Sequence, residues 1–149
     1  MQEMASEDGV PTLLIAGPIG VGKSKVAREV SRQLWAAGLR NEEADLHPLP
    51  AEDPQPLVAG TRVAVQALGE AFWPSFRQRG GERLIIAAAV QDPESLEFVR
   101  RSLPEARLTV VELHEPGRPA SGLGPPIQAG RPAEDVAREV LDRCGWLPA

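Results

Sequence analysis

Gly17-Pro18-Ile19-Gly20-Val21-Gly22-Lys23-Ser24 satisfies G-x-x-x-x-G-K-[ST], the phosphate-binding loop, at every fixed position. The flanks agree with it. Thr12 to Ala16 is a short apolar run of buried-strand type, and Lys25 to Ala37 has the pattern of a helix. Each residue type has a chemical reason. Glycines let successive backbone N–H groups turn inward onto phosphate oxygens, because no Cβ obstructs the dihedrals required. The following helix directs its unpaired N–H groups and positive dipole end to the same place. A lysine at the position of Lys23 reaches β- and γ-phosphates, and a hydroxyl at Ser24 ligates Mg²⁺. Of 16 basic residues only Lys23 and Lys25 are lysines, so a lysine in that slot is informative. With the chain's own frequencies, chance produces the pattern in roughly one such sequence per thousand. The bland alternative is a glycine-rich strand-to-helix turn that binds nothing.

At 149 residues, 42% of them apolar, the chain is expected to form one domain around one core. Residues 1–10 read as a flexible tail and residues 11–149 as a single nucleotide-binding domain. A formal charge of −5 argues against a broad nucleic-acid or anionic-membrane footprint. The single cysteine, Cys144, excludes an internal disulfide framework and fits a reducing compartment. No C-x-x-C or His/Cys cluster suggests zinc. The first nine residues are acidic and polar, unlike a signal or transit peptide, and no apolar run reaches membrane-spanning length. The expected location is the cytoplasm.

Along the chain, a first strand over Thr12–Ala16 leads into a helix with Val26, Val30, Leu34 and Ala37 on one face, stopped at Gly38. Asn41–Leu46 reads as a weak strand, and the four prolines of His47–Pro56 exclude a regular element there. From Thr61 the pattern is helical, with Val63, Ala67, Leu68 and Ala71 on one face. Pro74 is expected to kink or split that helix. Leu84–Val90 is a continuous apolar run of buried-strand type. Asp92-Pro93 then supplies an N-cap and first helical residue for a helix through Arg101. Leu108–Leu113 is a further strand, and Ala133–Cys144 a last helix with Val136, Val140 and Leu141 as its apolar face. Strands alternating with helices imply a three-layer α/β/α domain on a mostly parallel sheet of four to five strands.

Loop, alternation and size together resemble the small P-loop kinases of the shikimate-kinase, gluconate-kinase and nucleoside-monophosphate-kinase type. The likeness covers roughly residues 11–113 and 127–146. It implies sheet order 2-3-1-4-5 and an ATP- and Mg²⁺-dependent phosphotransferase or ATP hydrolase. Gly17, Pro18, Ile19, Gly20, Val21, Gly22, Lys23, Ser24 and Lys25 would hold the nucleotide, with Lys23 also catalytic. Such kinases often carry Asp-x-Asp at the end of strand two. Here Asp45-Leu46-His47 stands there, so Asp45 would assist metal or act as base, and His47 occupies the second carboxylate's place. Arg62 falls where relatives place a substrate-binding arginine. Gly130-Arg131-Pro132 is similar to the adenine-packing turn, with Arg131 where relatives carry Ser. Strand three ends in Ala87-Ala88-Ala89, without the usual second metal-assisting carboxylate; Asp92 nearby reads as a cap.

The departure from the resemblance is as informative as the matches. Relatives follow strand four with a helix and an arginine-rich lid. Here His114 to Gly130 holds four prolines, four glycines and one arginine, Arg118, with Pro125–Gln128 as a remnant of strand five. The alternative to an enzyme is therefore a lidless relative that binds nucleotide without efficient phosphoryl transfer, either regulatory or degenerate. A truncated product would be marked by exposed Trp73 and Trp146; packed tryptophans are the expectation. The phosphoryl acceptor stays open.

Overall fold

A computed structural model describes residues 9–18, 20–46 and 57–147. Five parallel strands form one sheet: β1 (Val10–Ala16), β2 (Glu42–Leu46), β3 (Leu84–Ala88), β4 (Ala106–His114) and β5 (Pro126–Gln128), in the order β2-β3-β1-β4-β5. The expected order 2-3-1-4-5 is the observed one. Around the sheet lie α1 (Lys23–Ala36), α2 (Leu57–Ala67), α3 (Trp73–Gln78), α4 (Pro93–Ser102) and α5 (Ala133–Cys144). The segment 47–56, read as irregular, and residues 1–8 of the expected tail lie outside the described residues, while Val10, the tail's expected last residue, instead opens β1.

The strands are apolar without interruption because both faces of the sheet are covered. Leu13, Ile15, Ile85, Ala87, Val111 and Leu113 pack against α1 and α5. Leu14, Ala16, Leu84, Ile86, Ala88 and Val110 point the other way, onto α2, α3 and α4. Burying each Leu or Ile side chain stabilises the fold by roughly 1.5–3 kcal/mol. Asn41 joins α1 to the start of β2: buried, it accepts from the Ser31 hydroxyl and donates to the Ser31 and Leu39 carbonyls. Asp92 caps α4 as expected, its carboxylate accepting from the Ser95 N–H at 2.7 Å and the Ser95 hydroxyl at 2.9 Å. Gly145 in the left-handed region ends α5.

One expectation about the middle of the chain is corrected. Among the described side chains, the buried face of α2 is Thr61, Ala64 and Val65, continued by Leu68 in the turn that follows, while Val63 is 47% exposed and Ala67 and Ala71 are exposed too. Leu-Val-Ala-Gly-Thr-Arg-Val-Ala-Val-Gln-Ala has apolar residues on nearly every side, so its period does not select a face. The helical segment divides just ahead of Pro74, which lies in the first turn of α3. A π-turn over Leu68–Phe72 joins α2 to α3, and its wider winding absorbs the proline's missing N–H and bulky ring. Gly69 in that turn rides against Ser102 of α4, where a Cβ would come within 2.6 Å of the Ser102 carbonyl oxygen. Trp73 is buried, its indole N–H donating to the Pro104 carbonyl, and Trp146 packs against the core. The exposed tryptophan is Trp35, on α1.

Candidate functional site

The loop between β1 and α1 lies at the carboxyl end of the sheet's central strand, where open α/β sheets bind ligands. Its conformation is one that glycine permits. Gly17 has φ 146°, and a Cβ there would meet the Leu113 carbonyl oxygen at 2.7 Å, so loop and β4 are in contact. Gly22 is left-handed at φ 100° and serves as N-cap of α1 without a side-chain cap bond. Gly20 and Gly22 face open space: a Cβ on either meets nothing within 4 Å. The first turn of α1 carries no acidic residue. In contrast, α4 has Asp92 and Glu94 at its start and α5 has Glu134 and Asp135. The N–H groups and positive end of α1 are thus left to an external anion. Open glycines, an uncapped helix start and a lysine together fit a polyphosphate.

Lys23 is half-buried, and its ammonium donates to the Pro18 carbonyl at 2.7 Å. Burial holds its pKa below a lysine's ordinary 10.5, and the negative charge of Asp45 acts in the opposite direction. Asp45 and Lys23 are thus electrostatic neighbours although 22 positions apart. The sheet explains it: Asp45 is in register with Ala87, which is in register with Ile15 just before the loop. Ser24 is half-buried at the start of α1; Lys25 beside it is exposed. Val21 is buried in the core below the loop, its N–H directed to the Pro18 carbonyl at 3.4 Å. Ile19 and His47 lie outside the described residues.

The remaining candidates are engaged elsewhere. Arg62 on α2 pairs with Glu94 of α4 at 3.3 Å and lies over the Phe98 ring at 5.5 Å. The Arg62 Nε and the Thr61 hydroxyl, on consecutive residues in the middle of α2, are buried without a hydrogen-bond partner. Arg131 donates to the Gln128 carbonyl at 2.8 and 3.0 Å and to Glu139 at 2.6 Å, so it ties β5 to α5. Pro132 is the N-cap of α5. Arg118 sits 3.4 Å from Glu115 in a tight turn and is 75% exposed.

Sequence reasoning missed Glu112. It sits in β4 opposite Ala16, the residue before the loop, and is only 2% exposed. Its carboxylate accepts three successive backbone N–H groups: Ser121 at 2.6 Å, Gly122 at 3.1 Å and Leu123 at 3.3 Å. The strap of residues 115–125 therefore lies down on β4. Gly124 is so close that a Cβ would stand 2.4 Å from the Val110 carbonyl oxygen, and Leu123 joins the core on that face. An acidic residue inside Val-Val-Glu-Leu, followed by Ser-Gly-Leu-Gly, was the available signal. A buried carboxylate needs several donors, and a helix-free crossover needs its own N–H groups satisfied.

No family model matches the chain, and neither does any curated protein sequence. Solved structures do match. The chain is similar to an APS kinase from Mycobacterium tuberculosis in complex with AMPPNP and APS (16% identity, TM-score 0.64, covering 90% of this chain and 96% of that one). It is similar to a gluconokinase from Sinorhizobium meliloti 1021 (19%, TM-score 0.58, 93% of each chain). A tunicamycin resistance protein from Deinococcus radiodurans matches at 18% and TM-score 0.57, over 94% of this chain and 99% of its own. The fold is that of the P-loop kinases, as the sequence resemblance implied.

Proposed function

We propose that the chain binds Mg-ATP at Gly17–Ser24 and acts as a small P-loop phosphotransferase or ATPase in the cytoplasm. Half-buried Lys23, beside glycines whose Cβ positions are open, is the observation that carries this reading. The Pro18 carbonyl holds the ammonium in reserve, and a polyphosphate offers it a stronger, charged partner. The backbone of residues 17–22 would cradle the phosphates, with Lys25 at their edge; Arg118, the lid candidate in the sequence, belongs to the strap and pairs with Glu115. Ser24 and Asp45 would hold Mg²⁺, which when bound neutralises charge on the transferred phosphoryl group. Asp45 would also serve as base. Arg131 and Pro132 would border the adenine. Arg62, whose buried Nε has no hydrogen-bond partner, would contact the phosphoryl acceptor together with His47.

One observation favours a second reading, nucleotide binding with little transfer. The strap that stands where relatives have a lid is fastened to β4, and its one arginine pairs with Glu115.

Mg-ATP at about a hundred times its dissociation constant should stabilise the wild type by roughly 2.7 kcal/mol and leave Lys23→Ala unshifted. Absence of any wild-type shift at millimolar Mg-ATP would remove the nucleotide reading. Phosphate release and transfer to a metabolite panel then separate the two readings, since equal rates in wild type and Lys23→Ala exclude catalysis here.

A further inference from the structure

We infer that Glu112 fixes the strap 115–125 as a permanent wall, so that the candidate nucleotide site stays open whether or not ligand is bound. This rests on reading Gly17–Ser24 as the nucleotide site. The strap is anchored at His114, where β4 ends, and at Pro126, where β5 begins. Further bonds tighten the second anchor: Glu112 N–H donates to the Pro125 carbonyl, and Ala129 N–H to the His114 carbonyl. Glu112 adds a third anchor in the middle, at Ser121, Gly122 and Leu123. This shortens the part free to move from 115–125 to 115–120. A loop free between its two ends rises by about half its extended length, so the pin cuts the strap's reach from about 18 Å to about 10 Å.

The choice of residue matters. An ionised carboxylate offers about four lone-pair sites and no donor, and so serves three converging N–H groups. A glutamine offers one carbonyl oxygen and sets an NH₂ against the remaining donors. Gly124 reinforces the hold, because it lets the strap approach to a distance no side chain allows. Arg118 lies within the free portion, already paired with Glu115. Glu112 thereby acts as a positioning residue for the site's boundary without touching the ligand.

Hydrogen exchange followed by mass spectrometry on the full chain, with and without Mg-ATP, tests this. In wild type the amides of 121–123 should be protected before ligand is added, and Mg-ATP should slow exchange around 17–24 but not across 115–125. Glu112→Gln should speed exchange at 121–123 by about tenfold or more while α1 and α5 keep their rates. Its Mg-ATP dissociation constant should stay within about threefold of wild type. Ligand-induced protection of 115–125 in wild type would overturn the inference, because the strap would then be a lid. Unchanged exchange in Glu112→Gln, or a loss of affinity beyond about tenfold, would overturn it too. Should Glu112→Gln not fold, Ser121→Pro removes the 2.6 Å donor at an exposed position, and the amides of 122–123 must then exchange faster. If Mg-ATP leaves no trace around 17–24, the nucleotide reading fails, while the ligand-free comparison still decides the role of Glu112.

Discussion

Two glycine-rich turns lie side by side at the carboxyl ends of adjacent strands, the loop after β1 and the strap after β4. The first has an uncapped helix start, open glycines and an ammonium held by one carbonyl. The second has three N–H groups turned onto one carboxylate of the protein itself. One leaves its helix start open, and the other is filled by a carboxylate of the chain itself. The difference teaches that a backbone cradle is a binding site only while the chain leaves it unfilled.

This contrast makes opposite demands on Glu112 and Lys23 in the absence of ligand. Truncating Glu112→Ala removes the acceptor of three hydrogen bonds and leaves a hole beside Leu123. Water reaches Ser121 and Gly122, which are exposed, so the expected loss is about 2–3 kcal/mol rather than the full penalty of three buried donors. Lys23→Ala gives up the bond to the Pro18 carbonyl and the attraction of Asp45 but also relieves a desolvated cation, and should stay within about 0.5 kcal/mol of wild type. Chemical denaturation of the two variants measures both. Equal losses would erase the distinction between a filled cradle and an open one.

The same contrast marks what the sequence made legible. The loop has fixed spacing, so eight consecutive residues announce it. The strand order follows from alternation together with the resemblance, and Ala133–Cys144 is read with its observed bounds because Gly145 stops it and its apolar face is narrow. The face of α2 was misread because its apolar residues surround the helix. The π-turn at Leu68–Phe72 was hidden, since winding depends on Gly69 meeting Ser102 from another helix. Glu112 was hidden for a related reason. Its partners begin nine positions away, and a lone acid in an apolar run signals a buried carboxylate only once its donors are known.

Smaller effects separate the two turns glycine by glycine. Gly124→Ala should cost about 2 kcal/mol, because its Cβ meets backbone of β4 at 2.4 Å and the strap must lift. Gly20→Ala meets nothing within 4 Å and carries only the strain of φ 88°, about 1 kcal/mol. Exchange at 121–123 should rise in the first and not in the second. If Gly20→Ala were the more damaging of the two, the loop would be the more tightly packed turn and the contrast would be reversed.

The smallest effect concerns the proton on Lys23. Burial lowers its pKa in the folded chain, with Asp45 partly opposing, whereas the unfolded chain keeps the ordinary 10.5. Between those two values the unfolded chain binds the proton that the folded one has released, so stability contributed by this group rises with pH through that window. Below it, the folded chain carries the cost of a desolvated ammonium. Lys23→Ala lacks that cost, so its stability relative to wild type should be greatest near neutral pH and diminish as pH climbs toward 10.5. A polyphosphate reverses the sign, because it favours the charged ammonium. Mg-ATP binding should therefore take up protons in the same window, which calorimetry in buffers of different ionisation enthalpy reads directly. Binding without proton uptake there would mean that Lys23 stays uncharged and that the open turn holds phosphate through its backbone alone.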